Sequence, residues 1–416
     1  MIEKIVSKNF DIPNSHLLEV ALKNGRYSSL DKLFSMTPDE VTQEVINSGL
    51  RGKGGGGASC GQKWLYMPKE DKRPAYLMVN GDESEPGTFK DRQIFEYDPH
   101  LLIEGIICSS YAINAHDAYI YIRGEYKFFI DRLNKAIDEA YEAKIIGKKV
   151  MNKYNHSINI TVHRGGGAYI CGEKSALIES VEGKRGHPRL KPHQKECEWF
   201  FDNPATVNNV ETIASVPHII KNGYKAYTKF GTKSSPGTML FGISGPVEHP
   251  GIYELAYGNK MIDFINQVGG GMKKGKKLKA VIPGGVSCPI LTADEVNKAV
   301  LDYESMWDIG STLGTGGLIV IDEDMSMVKA AKNIIEFYHH ESCGQCTPCR
   351  EGTGWIDKIL RDLLNKKAGS GDIQTILDVC NTMNGKTVCV FAPAVVDIIS
   401  SMIKKFRHEF DAYLKK

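Results

Sequence analysis

Apolar and polar positions change period several times along the chain, and each change marks an element. Thr37-Pro38-Asp39-Glu40 has the pattern of a capping box with proline at the first helical position, predicting a helix that stops at Gly49. Ala75 to Val79 (AYLMV) is a continuous apolar run of strand length, ending in the turn-forming stretch Asn80-Gly81-Asp82-Glu83-Ser84-Glu85-Pro86-Gly87. A helical period follows from Leu101 to Ala115, then a strand from Ala118 to Ile122, a helix from Ile130 to Ile145 and a strand from Ile158 to His163. Gly165-Gly166-Gly167 leads into a helix over Lys174 to Glu182. Strands alternating with helices predict an α/β unit with a largely parallel sheet.

The pattern changes at Gly231 to Gly237 (GTKSSPG), which reads as a linker. Short strands and turns run from Thr238 to Asp322, with one helical piece near Met261 to Val268. From Met325 the chain turns helical, and Val328, Ala331, Ile334, Ile335 and Tyr338 share one helix face. Further helices are expected over Ile359 to Leu364, Ile373 to Met383 and Ala394 to Phe406. The chain thus divides into an α/β unit (1–235), a small β-rich α+β unit (236–324) and a helical unit (325–416).

Composition narrows the chemistry. With 416 residues, 42% hydrophobic and 25% charged, the chain is an ordinary globular protein, and a net charge of +2 favours neither a nucleic-acid polymer nor an anionic membrane as main partner. The first residues, MIEKIVSKNFDIPNSH, lack the apolar core of a signal peptide, and no run reaches the roughly 18 apolar residues of a membrane span. A cytoplasmic location is expected. Cys60, Cys108, Cys171, Cys197 and Cys288 are scattered, whereas Cys343, Cys346, Cys349, Cys380 and Cys389 crowd the last fifth. In that setting clustered cysteines favour metal or redox chemistry over disulfides.

Cys343-Gly344-Gln345-Cys346-Thr347-Pro348-Cys349 is the sharpest motif. Zinc sites usually combine two separated pairs, whereas three thiolates spaced by three wrap three corners of an iron–sulfur cube. Cys389 and Cys380 are the candidates for the fourth corner of a [4Fe–4S] cluster. The acidic turn after AYLMV sits where open α/β sheets bind ligands, and its acceptors suit a ribose or ribityl chain. Residues 165–173 (GGGAYICGE) form a second glycine-rich turn able to present amides to an anion. Gly52-Lys53-Gly54-Gly55-Gly56-Gly57 formally fits G-x-G-x-x-G, but a helix precedes it where the Rossmann fingerprint needs a strand.

Taken in order, RGKGGGG…GQKW, NGDESEPGTFKDR, DPHLLIEG, YIYIRGEY, GAYICGEKSALIESVEGKRGHPRLKP, TVNNVET and ESCGQCTPCREG resemble the FMN- and NADH-binding flavoprotein subunit of respiratory complex I. The same module recurs in soluble NAD(P)-linked hydrogenases and formate dehydrogenases, and the resemblance covers essentially the whole chain. It implies a Rossmann-like α/β FMN-binding domain, a ubiquitin-like β-grasp domain and a C-terminal helical bundle carrying [4Fe–4S]. By position, FMN would be held by Gly54, Gly55, Lys63 (suited to the phosphate), Asn80, Asp82, Glu83, Ser84, Tyr169, Gly172, Glu173, Asn208, Asn209 and Thr212. NAD(H) or NADP(H) would meet Gly57, Glu85, Lys174 and Lys191, and the cluster ligands would be Cys343, Cys346, Cys349 and Cys389. The implied chemistry passes a hydride from nicotinamide to flavin and then single electrons to the cluster, with no side-chain acid or base required. A separate thioredoxin-like [2Fe–2S] subunit is the implied partner within a larger redox complex, any attachment to a membrane complex being peripheral.

The chain departs from the family's pattern on the adenosine side. The family's Phe-Pro-Thr after the glycines is here Ala58-Ser59-Cys60, its Gly-Glu-Glu-Thr is Gly172-Glu173-Lys174-Ser175, and its Pro-Phe-Pro is His193-Gln194-Lys195. Three readings follow. The chain remains an NAD(P)H dehydrogenase subunit, with Lys174 and Lys195 available to a 2′-phosphate. Alternatively it is an FMN/[4Fe–4S] relay with a lost or altered nicotinamide site, fed by another protein or donor. Outside redox chemistry, a zinc-stabilised nucleotide-binding module remains.

Overall fold

A computed structural model of the chain describes residues 4–190 and 197–415. The first sheet is built from β1 (Ala75–Gly81), β2 (Ala115–Ile122), β3 (Asn159–Arg164), β4 (Glu198–Phe200) and β5 (Asn203–Asn209), in the order β3-β2-β1-β5-β4. Pairings β1–β2, β2–β3 and β1–β5 are parallel; only the short β4 runs antiparallel, against β5. The unbroken apolar run in β1 reflects burial on both faces. Leu77 and Val79 enter one core with Ile103, Ile106 and Ile213, while Met78 enters the other with Ala176, Leu177 and the C-terminal helices. Chain order reverses between β1 and β5, so their carboxyl ends, Asn80 and Asn209, open a crevice at a switch point of the sheet.

The capping box forms as the residues imply: Thr37 caps Pro38–Asn47, and its Oγ1 accepts from the Glu40 amide at 3.3 Å while its own amide donates to Glu40 at 2.7 Å. Three features depart from the sequence expectations. The β4–β5 hairpin and the helix Val210–Asn222 fall in a stretch read only as a motif, and the last long helix before residue 365 begins at Thr347, inside the cysteine run, rather than at Ile359.

The second sheet has the order β7-β6-β10-β8-β9, from β6 (Thr238–Ser244), β7 (Gly251–Ala256), β8 (Leu278–Ile282), β9 (Leu291–Thr292) and β10 (Gly317–Asp322). Its central β6–β10 pair is parallel and the outer pairings are antiparallel. Its own core includes Met239, Phe241, Phe264 and Leu318. Four long helices follow, Met327–Glu341, Thr347–Leu364, Asp372–Met383 and Phe391–Lys405. Among the described residues no helix is long and apolar enough to cross a membrane.

Candidate functional site

The glycine loop is a short excursion between the helices Pro38–Asn47 and Cys60–Leu65, pinched at its base by Cys60 N donating to Leu50 O (2.9 Å) and Gly52 N to Ala58 O (2.7 Å). Gly55 has φ +113° and Gly57 φ +62°. A Cβ at Gly57 would lie 2.6 Å from the Tyr303 ring, so this glycine lets the second unit close onto the loop. Tyr303 also donates to Gly52 O at 3.1 Å. Among the described residues no protein acceptor is bonded to the amides of Gly54, Gly55 and Gly56, which line a cleft of about 490 Å³. Such a row of free amides suits a phosphate.

Beneath the loop, two fully or nearly fully buried lysines flank one carboxylate. Glu211 receives Lys90 Nζ at 2.8 Å and Lys53 Nζ at 3.3 Å, and it accepts from the Leu240 amide of β6 at 2.8 Å. Lys90 also reaches Asp91 Oδ1 at 2.8 Å, and Lys53 Nζ donates to Ser215 Oγ at 2.7 Å. Burial opposes the charge on Lys90, but Asp91 and Glu211 outweigh it and hold its pKa above the ordinary value. Burial alone would raise Glu211, yet Lys90 and Lys53 bring it below the usual carboxylate range. Lys53 and Lys90 both line the cleft, and the motifs in the sequence point to neither; the only signal was a lysine within the glycine run and another in GTFKDR.

The acidic turn divides its carboxylates among separate partners. Glu83 is buried and accepts from Asp91 N (2.6 Å), Arg92 Nε (2.8 Å) and Tyr126 OH (3.1 Å). Glu85 accepts from Tyr169 OH at 2.6 Å and from Ser287 N at 2.8 Å. Asp82 accepts from Ser84 Oγ at 3.1 Å through one oxygen, while Oδ1 is buried without a hydrogen-bond partner. Burial pushes its pKa up to about 7 against the opposing Ser84 bond. An orphaned acceptor on a residue that lines the cleft matches the hydroxyls of a ribityl chain. Asn80 Nδ2 donates to Gly172 O at 2.9 Å, tying β1 to the second glycine-rich turn. There Tyr169 N donates to Glu341 Oε2 at 2.9 Å, and its ring packs on Phe337 and Phe391, joining the cleft to the helical unit.

Of the residues expected to hold FMN, Gly54, Gly55, Asn80, Asp82, Glu83, Ser84, Tyr169, Gly172, Glu173 and Asn209 line this one cleft. Three stand behind its wall. Thr212 Oγ1 accepts from Lys53 N at 2.9 Å, Asn208 lies between Trp64 and Cys60, and Lys63 donates to the Val207 carbonyl. Of the nicotinamide set, Glu85 lines the cleft, Gly57 packs under Tyr303, and Lys174 forms an ion pair with Glu198 at 2.5 Å. Lys191 and the His193-Gln194-Lys195 departure lie outside the described residues. The other departure has a local reason: Ser59 caps Cys60–Leu65, and Cys60 is a buried thiol beside Asn208, its pKa pushed up to about 12 by burial.

Cys346 caps the helix Thr347–Leu364, Cys349 lies in its first turn, Cys343 follows the helix Met327–Glu341, and Cys389 precedes Phe391–Lys405. The N-terminal ends of two helices and the C-terminal end of a third therefore adjoin this cysteine set, and the two positive ends oppose the rise that burial imposes on its thiols. Val388 N lies 3.3 Å from Cys346 Sγ, and Ser342 Oγ 3.4 Å from Cys349 Sγ. Burial raises the Cys349 thiol, and its neighbours Cys343 and Cys346 add to the effect; Cys389 feels Cys343 and Cys349 in the same way. Among the described residues no three His, Cys, Asp or Glu side chains stand close enough together to hold a metal ion as they are. An amide donating to Cys346 Sγ and a hydroxyl beside Cys349 Sγ suit sulfurs that carry charge in a cluster. Cys380 is buried on Asp372–Met383. Cys389 itself lines the cleft, as do Val390, Phe391 and Ala394, so the two candidate cofactor sites share a wall.

Fold and site together define a flavin and iron–sulfur redox protein. Residues 45–218 match the family described as the Nuo51 FMN-binding domain, 239–320 the SLBB domain, and 329–413 the NADH-ubiquinone oxidoreductase-F iron-sulfur binding region. The chain is 44% identical over 418 residues to an NADH-quinone oxidoreductase subunit of Rhizobium meliloti (strain 1021), covering 100% of this chain and 99% of that protein. It is 43% identical over 414 residues to the corresponding NADH-quinone oxidoreductase subunit of Rickettsia bellii (strain OSU 85-389), covering 99% of each. The solved NAD+-reducing [NiFe]-hydrogenase in the H2-reduced state is similar in structure, with a TM-score of 0.86 at 30% identity, over 99% of this chain and 67% of that one. The chain belongs to the family of NADH-quinone oxidoreductase subunits that carry the Nuo51 FMN-binding domain.

Proposed function

We propose that this chain is the electron-input subunit of a multisubunit redox assembly, accepting electrons from NADH at an FMN site and passing them through a [4Fe–4S] cluster to a partner subunit. The observation that carries this reading is the shared wall: Cys389 lines the same cleft as the glycine loop and the acidic turn. FMN supplies the exchange between two-electron hydride transfer and one-electron transfer when bound there. The protein's own residues hold and exclude. Free amides of Gly54 to Gly56 receive the phosphate, with Lys53 and Lys90 setting the charge beneath. Asp82, Asn80 and Ser84 take the ribityl hydroxyls. Tyr169 and Phe391 keep water from the path between cleft and cluster, and Cys343, Cys346, Cys349 and Cys389 ligate the cluster.

NADH rather than NADPH is the donor. The relatives are named for NADH, and the Lys174 ammonium is engaged by Glu198 at 2.5 Å. The finer architecture we infer is a Rossmann-like domain over 1–235, a β-grasp domain over 236–324 and a helical bundle over 325–416. The partner we infer is a thioredoxin-like [2Fe–2S] subunit, and the location is cytoplasmic. Anaerobic purification followed by titration with NADH and NADPH tests the donor: flavin bleaching by NADH supports the reading. Absence of bleaching would leave the relay fed by another donor.

A further inference from the structure

We propose that Trp307 is the wall on which the adenine of NADH stacks, a specificity-determining role that rests on the NADH-oxidising reading above. The glycine loop offers no ring of its own: Ala58 has none, Ser59 caps a helix and Cys60 is buried. A ring is supplied from across the cleft. The helix Tyr303–Asp308 begins at Asp302, whose Oδ1 accepts from Ser305 N at 2.7 Å. Tyr303 is 1% exposed and fastens this helix to the loop through Gly52 and Gly57.

Trp307 lies one turn further on, four residues from Tyr303, and so on the same face of the helix. The residue is 49% exposed yet lines the same cleft as Gly54, Gly55 and Gly56. Of the other aromatic side chains lining the cleft, Tyr303 and Phe391 are held within the cores, and Tyr169 is partly buried with its hydroxyl on Glu85 and its ring against Phe337 and Phe391. Arg51 stands between the two rings: its guanidinium carbon is 4.7 Å from the Tyr303 ring and 5.8 Å from the Trp307 ring, and Nη1 is 2.8 Å from Glu304. A half-exposed indole on a helix anchored at the cleft is a stacking surface for a flat base. The nicotinamide must enter the cleft to reach the flavin, so the adenine, which does not react, is left at the rim where Trp307 stands.

The test is steady-state NADH oxidation with ferricyanide as acceptor, comparing wild type, Trp307→Ala and Trp307→Phe, with FMN content measured for each. Loss of one base stack corresponds to a rise of about tenfold in KM for Trp307→Ala, with kcat held. Trp307→Phe keeps a ring and stays within about threefold. Reduced nicotinamide mononucleotide, which lacks adenine, is oxidised equally by wild type and Trp307→Ala. An unchanged NADH KM in Trp307→Ala, with wild type active, overturns this inference and leaves the NADH reading standing. So does an equal loss with the mononucleotide. A wild type that NADH does not reduce overturns the parent reading, and this inference falls with it.

Discussion

Replacing Asp82 with asparagine should move stability and flavin affinity in opposite directions. Asp82 is held in the cleft with one oxygen unpartnered, and burial raises its pKa from 3.8 to about 7. A shift of that size corresponds to roughly 4 kcal/mol against the ionised form, which the residue's partial exposure screens to on the order of 1–2 kcal/mol. The sign follows from proton linkage. The folded state binds the proton more tightly than the unfolded one, so ionised Asp82 costs stability. That cost is absent below about pH 4, grows as pH rises through 7 and is complete above it. Asparagine does not titrate, so FMN-free Asp82→Asn should melt about 2–6 °C above FMN-free wild type at pH 8, with the gap closing at pH 5. Differential scanning calorimetry at the two pH values measures this. The same variant should bind FMN on the order of tenfold more weakly, because a hydroxyl–carboxylate bond becomes a neutral one. A melting point unchanged at pH 8, or raised equally at both pH values, would refute the reasoning.

Glu211→Gln leaves Lys53 and Lys90 without the carboxylate they share, so it should cost about 3–5 kcal/mol and lower the first melting transition by roughly 6–15 °C; a loss below about 1 °C contradicts the buried ion cluster. Gly57→Ala places a methyl group against the Tyr303 ring at positive φ, and should destabilise by roughly 2–4 kcal/mol in chemical denaturation while also lowering FMN retention. Lys174→Ala breaks only a partly exposed pair with Glu198. Its stability should change by less than about 1 kcal/mol, and its NADH-to-NADPH preference should stay put; a change of preference beyond about fivefold would return Lys174 to the dinucleotide site.

The sequence showed best what rests on local rules. Thr37-Pro38 and Glu40 specify a capping box with no help from the rest of the chain, and AYLMV reads as a two-sided buried strand because every position is apolar. Val210–Asn222 was hidden because Pro217 interrupts its helical pattern and its first turn belongs to a motif. The start of Thr347–Leu364 was hidden because Cys346, Pro348 and Cys349 read as ligands before they read as a helix terminus. At the site, glycines and carboxylates carry their chemistry in their type and order. Lys53 and Lys90 do not: a lysine looks solvated in sequence, and only the arrival of Glu211 from a helix more than a hundred residues away makes their burial possible. Trp307 likewise gains its meaning from Gly52 and Gly57 beneath its helix.

Anaerobic titration of the FMN- and cluster-loaded protein with NADH, in wild type and Cys389→Ser, followed by flavin absorbance and low-temperature electron paramagnetic resonance, tests the electron path most directly. Wild type should lose flavin absorbance and gain the signal of a reduced [4Fe–4S] cluster, while Cys389→Ser should bleach its flavin and lose that signal. A flavin that NADH leaves oxidised in wild type, or a cluster signal that survives intact in Cys389→Ser, would contradict it.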